Sequence, residues 1–172
     1  PRSVTMNTAR DIILKLPPLV DTVGVFVNES VDRINKIVNY CGLDLVQLHG
    51  EESPAFCKKI QRRVIKAFRV KDLQSVKQLE KYSVSGYLLD TFSDNVHGGT
   101  GKTFDWNLAL PANKIGPVIL AGGLTARNIL QAIRQARPYG VDVCSGVEKL
   151  PGIKDPEKVR AFLKNIRSGS KT

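Results

Sequence analysis

Residues 118–124 read Val118-Ile119-Leu120-Ala121-Gly122-Gly123-Leu124, a short apolar run that ends on two glycines and leads through Thr125 into the helical period of residues 126–136. An aliphatic run without polar alternation is what a strand covered on both faces requires, and such strands belong to parallel sheets. The pattern returns downstream, where Val141-Asp142-Val143-Cys144 precedes Ser145-Gly146-Val147-Glu148. Glycine lets backbone N–H groups converge on an anion with no Cβ in the way, and a following helix N-terminus adds partial positive charge. One such turn says little, because glycine serves loop geometry anywhere. Two at consecutive strands match the recurrent phosphate pocket at the last strands of a (β/α)8 barrel, so Gly122, Gly123, Ser145 and Gly146 are the candidate phosphate-binding residues.

Outward from this pair, the same alternation of short apolar runs and helical periods continues in the N-terminal direction. It predicts strands over 22–27, 45–48, 64–68, 86–89, 118–120 and 141–144. Helices are expected over 5–16, 31–40, 54–60, 73–82, 126–136 and 156–166, with a weaker one around Asn107. Ser53-Pro54 and Asp155-Pro156 each set a capping side chain before a proline at the first helical position, and Thr125 reads as the cap of the helix that follows it. The expected fold is α/β, of the (β/α)8 TIM-barrel class, with about six of the eight βα units in this chain. At 172 residues and 42% hydrophobic the sequence suits one domain over 1–172, with a flexible tail at 168–172.

Composition excludes several classes. Cys41, Cys57 and Cys144 are widely spaced and form no C-x-x-C pair, which argues against a disulfide framework or a metal site. The formal charge of +10 is spread along the expected helices rather than gathered in a block, and it has no aromatic companion motif. That favours a small phosphorylated ligand over nucleic acid. No run reaches the roughly 18 to 20 apolar residues of a membrane span, and no secretory signal opens the sequence, so the cytoplasm is the expected location.

Four side chains stand out beside the glycines. Asp90 follows Tyr87-Leu88-Leu89 at a strand end, where it is either a general acid or base or a cap for the next loop. Asp142, read as lying inside the last strand between Val141 and Val143, needs a partner or a ligand such as a substrate hydroxyl. Gln47 and His49 lie two apart and so point to one side of their strand, as pocket support or as hydrogen-bonded core. Residues 91–104, polar and glycine-rich, read as an active-site loop or as a solvated connection.

The runs Val46-Gln47-Leu48-His49-Gly50-Glu51-Glu52, Leu88-Leu89-Asp90-Thr91, Gly98-Gly99-Thr100-Gly101-Lys102-Thr103-Phe104-Asp105-Trp106 and the two glycine turns resemble, in order, those of the phosphoribosylanthranilate isomerases. The resemblance implies an Amadori rearrangement of N-(5-phosphoribosyl)anthranilate to the carboxyphenylamino-deoxyribulose phosphate, in tryptophan biosynthesis, with no cofactor and no metal. It makes Asp90 the general acid that opens the furanose ring, Asp142 a substrate contact, and Arg2 the partner of the anthranilate carboxylate, a task suited to a guanidinium fork.

That family opens with a strand carrying a catalytic cysteine, the general base, and no residue here matches it. The expectation is therefore an isomerase whose residues 1–172 are inactive alone, with a complementing N-terminal segment or a homodimer as protein partner. The alternative is a non-catalytic module that binds a phosphorylated ligand. Cys144 is expected beside Asp142, on the same side of the last strand, where a small cysteine is most often plain packing and the other reading is a substitute base.

Overall fold

The computed structural model describes residues 2–91 and 104–169. Its sheet contains β1 (Val23–Phe26), β2 (Leu45–Leu48), β3 (Arg63–Val70), β4 (Gly86–Thr91), β5 (Val118–Leu120) and β6 (Gly140–Val141), and their spatial order is their order in the chain. The pairs β1–β2, β2–β3, β4–β5 and β5–β6 are parallel. The chain divides into two compact units, one formed by Ser3–Ala67 with Lys81–Gly86 and the other by the remaining residues.

In the first unit, α1 (Met6–Ile13) is capped by Thr5, whose hydroxyl accepts from the Thr8 N–H. It stops before the expected Leu16, since Pro17 disfavours helical backbone at the residue ahead of it. Helix α2 (Val31–Cys41) opens on the Ser30 cap and ends on Gly42 at φ +75°, where no Cβ resists the left-handed turn. Helix α3 (Pro54–Cys57) begins on Ser53 as expected but is short, because Lys59 and Ile60 donate three residues back and tighten its last turn. Ile34 and Val38 of α2 bury completely with Val46, Leu48 and Val64 of the sheet, and this cluster is the unit's core.

In the second unit, α4 (Leu73–Lys77) is capped reciprocally by Asp72 and Ser75, then narrows to a 3-10 turn over Gln78–Lys81, so the helix expected over 73–82 is two pieces. A 3-10 turn at Trp106–Leu108 and α5 (Ala109–Ala112) fill the weak helical region around Asn107. Helix α6 (Ile129–Ala136) starts three residues later than expected, and Thr125 does not cap it. Instead the Asn128 side chain accepts from the Thr125 N–H at 2.8 Å and donates to the Gly123 carbonyl at 2.9 Å.

The last strand needs a larger correction. β6 stops at Val141, so Asp142 and Cys144 lie beyond it, although the Asp142 N–H still donates to Leu120 O at 2.8 Å. The chain turns through Ser145–Val147 into an antiparallel hairpin, β7 (Glu148–Leu150) and β8 (Ile153–Lys154), that the apolar periodicity did not announce. Its turn is Pro151-Gly152, with Gly152 at φ +87°: proline presets the first corner and glycine supplies the second. Helix α7 (Pro156–Gly169) follows the Asp155 cap, packs on α6, and stays helical through 168–169, where a frayed tail was expected. Residues 92–103, most of the expected active-site loop, and 170–172 lie outside the described residues.

Candidate active site

The candidate residues divide between the units: Arg2, Asp90, Gly122, Gly123, Asp142, Ser145 and Gly146 belong to the second, Gln47 and His49 to the first. Asp90 is half-buried near the end of β4, where its Oδ1 accepts the Thr91 N–H at 2.7 Å. The Gly122 turn presses against this carboxylate. A Cβ added at Gly122 would stand 2.3 Å from Thr91 Oγ1 and 2.8 Å from Asp90 Oδ1. Gly122 and Gly123 have φ of +82° and +65°, a region that costs an L-residue roughly 1–2 kcal/mol.

The second glycine turn packs on the first. A Cβ at Gly146 would lie 1.8 Å from the Leu124 carbonyl oxygen, so only glycine permits this approach. Gly122, Gly123, Ser145 and Gly146 are all half-buried. The structure thus brings together Asp90 and both glycine turns.

Arg2, which the resemblance makes the partner of the anthranilate carboxylate, pairs here with a carboxylate of this chain. Its Nε and Nη2 fork onto Glu148 Oε1 and Oε2 at 3.0 and 2.7 Å. Glu148 is buried, and its Oε1 also accepts from the Gly152 N–H at 3.1 Å and from Lys154 Nζ at 3.3 Å. The Arg2 fork, more than the other donors, holds the Glu148 carboxyl down at about 2 against the opposing effect of burial. Glu148 was not singled out in the sequence, although its place directly after a glycine turn was a usable signal.

Asp142 is exposed, so the argument that its burial demands a partner does not hold, and its candidacy rests on the resemblance alone. Cys144 is exposed, with Sγ 3.7 Å from both Glu148 Oε1 and Lys154 Nζ. Cys41 and Cys57 are buried, and desolvation pushes both thiols up. Among the described residues no group of three His, Cys, Asp or Glu side chains could hold a metal ion, and no helix is long and apolar enough to cross a membrane.

In the first unit, Gln47 Nε2 lies 2.8 Å from His49 Nδ1, as their two-residue spacing requires. Close by is a pair the sequence analysis missed. Lys66 and Glu52 are 3% and 5% exposed, and Lys66 Nζ stands 3.2 Å from Glu52 Oε2. A lysine within the apolar run 63–70 was the available clue.

The family model described as PRAI, N-(5'phosphoribosyl)anthranilate (PRA) isomerase, matches residues 1–165. The N-(5'-phosphoribosyl)anthranilate isomerase of Geotalea uraniireducens is 53% identical over 167 residues, which span 97% of this chain and 82% of the relative. The solved phosphoribosyl anthranilate isomerase of Thermotoga maritima superposes with a TM-score of 0.88 at 40% identity, over 96% of this chain and 82% of that one. A solved phosphoribosyl anthranilate isomerase in complex with reduced 1-(o-carboxyphenylamino)-1-deoxyribulose 5-phosphate superposes with a TM-score of 0.83 at 38% identity, over 96% and 80% of the two chains.

Proposed function

The chain belongs to the N-(5'-phosphoribosyl)anthranilate isomerase family, and we propose that it performs that family's rearrangement, an isomerisation in tryptophan biosynthesis, on N-(5'-phosphoribosyl)anthranilate. The observation that carries the assignment of residues is the contact between the Gly122 turn and Asp90. A phosphate anchored on the N–H groups of the two joined glycine turns would be tied to the carboxyl that acts. We count the six parallel strands as six of the eight of a (β/α)8 barrel, a reading supported by the coverage and similarity of the solved relative.

Asp90 would deliver its proton to the furanose ring oxygen. The C1–O bond breaks with its electrons going to that oxygen, and the anthranilate nitrogen lone pair closes the C1=N bond of a Schiff base. Loss of the C2 proton to a base gives an enolamine that bears the C2 hydroxyl; a proton then returns to C1 while the C2 hydroxyl proton departs and restores the Asp90 carboxylic acid, which leaves the C2 ketone and the C1 amine. Atoms balance without any redox partner, as an isomerisation requires. Asp142 would meet a sugar hydroxyl. Cys144 is not assigned as the base, because its thiol already engages Glu148 and Lys154.

The expectation that residues 1–172 are inactive gains no support from these comparisons. Turnover followed by the fluorescence of the anthranilate ring tests it directly. Asp90→Asn is expected to lower kcat by roughly 10²- to 10⁴-fold while keeping affinity for the reduced product analogue. Unchanged turnover in that variant removes Asp90 from the mechanism, and analogue binding without turnover in the parent chain favours a non-catalytic module.

A further inference from the structure

The link from α3 to β3 reads Lys58-Lys59-Ile60-Gln61-Arg62-Arg63, four cations in six residues. Like charges this close repel, and an anion held among them relieves the repulsion. Within the first unit this link lies against Ser83-Val84-Ser85, the approach to β4, where the Ser85 N–H donates to Val64 O at 2.8 Å. A cavity of about 360 Å³ opens here, and Lys58, Arg62, Arg63, Ser83 and Ser85 are among the residues that line it. No carboxylate lines it among the described residues. Arg63 and Gly86 begin β3 and β4, so the cavity lies at the N-terminal ends of these strands.

Helix α2 braces the link. Asn35 Oδ1 accepts the Gln61 N–H at 3.0 Å, and Asn35 Nδ2 donates to Lys59 O at 3.2 Å. Arg62 donates from Nε to Leu43 O at 3.1 Å, from Nη2 to Asn39 Oδ1 at 3.2 Å and from Nη1 to Gln61 O at 3.0 Å. All three acceptors are neutral. The guanidinium is therefore fixed in place with no carboxylate on it, and two of its five N–H groups are left over. The acids nearby do little to cancel the charge. Asp21 stands 3.9 Å from Arg63 Nη2 with both side chains well exposed, where an ion pair contributes little. Asp44 is engaged by the Thr22 N–H and hydroxyl, which hold its carboxyl down, with Arg63 and Arg62 adding to the effect more weakly. The Lys58 ammonium and the Ser83 and Ser85 hydroxyls have no hydrogen-bond or ion-pair partner among the described residues. A braced guanidinium, two further cations and two free hydroxyl donors around a concave space suit the oxygens of a phosphate group.

We propose that this cavity is a binding site for a small, multiply charged phosphate compound of the pyrophosphate type. It shares no residue with the glycine turns or Asp90, and the proposal stands independently of the isomerase reading. The volume is at the low end for small-ligand sites, which favours a compact anion over a polymer.

The test titrates the ¹⁵N-labelled full chain with inorganic pyrophosphate at constant ionic strength and follows backbone amide shifts, so that each site reports for itself. Expected is saturable movement of the Arg62, Arg63, Ser83 and Ser85 amides, at lower concentrations of pyrophosphate than of inorganic phosphate. The double variant Lys58→Gln/Arg63→Gln changes two exposed side chains and keeps the bracing of Arg62. It should weaken this binding about 10-fold or more with a thermal midpoint close to the parent's. Arg62→Gln should abolish binding, but it also removes the bonds to α2, so the double variant decides. Shifts that grow without saturating, shifts confined to the amides of residues 122–123 and 145–146, or equal affinity in the double variant overturn the proposal. So does a single-stranded oligonucleotide that moves the same amides at lower concentration than pyrophosphate, which would make this a polymer-binding face.

Discussion

A methyl group at Gly122 would meet Thr91 Oγ1 at 2.3 Å and Asp90 Oδ1 at 2.8 Å, on a backbone at φ +82°. Gly122→Ala is therefore expected to cost about 2 kcal/mol or more, roughly 4 to 8 °C in thermal midpoint for a chain of this size. It should also weaken the reduced product analogue by pushing the Asp90 carboxylate aside, and a midpoint and affinity equal to the parent's would contradict the close approach. The glycines were legible in the sequence as turns that close two consecutive apolar runs. Asp90 was legible as a carboxylate at a strand end, but its contact with Gly122 was not. That contact joins residues on neighbouring strands, and no local pattern encodes it.

Elements were legible where periodicity and capping agree, as in α2 between Ser30 and Gly42. They were misread where a side chain reorganises a terminus: Asn128 ties the Gly123 turn and delays α6, and the missed hairpin is signalled only by Pro151-Gly152. Glu148 opens that hairpin, and its contacts give the element a pH dependence. Its carboxyl is held at about 2, below its ordinary 4.5, chiefly by the Arg2 fork. A depressed carboxylate stabilises the fold above its unfolded value and loses that contribution as pH falls toward the folded one. The denaturation midpoint should thus decline from about pH 4.5 to about pH 2, and Glu148→Gln should flatten that decline. An identical slope in the variant would show that the fork does not survive in solution.

Across the whole chain, 26 lysines and arginines stand against 16 aspartates and glutamates. Such an excess attracts an anionic ligand over distances that salt screens within about 8 to 10 Å. Binding of the reduced product analogue, which carries a phosphate and a carboxylate, should weaken several-fold as salt rises from low to physiological strength; affinity indifferent to salt would confine the attraction to the site itself. Fold class was readable at this scale because βα alternation repeats along the entire sequence, whereas the Lys66–Glu52 pair was not, since it joins separate strand and loop segments. The order of the sheet has a last consequence. Val23 pairs with Leu45, Leu45 with Arg63, Tyr87 with Val118 and Ile119 with Gly140. Each strand finds its neighbour within about 20 to 30 residues, so the closing loops are short and their entropy is low. A chain leaving the ribosome can therefore add strands one at a time, and the Ile34–Val64 core can consolidate while the glycine turns are still being synthesised.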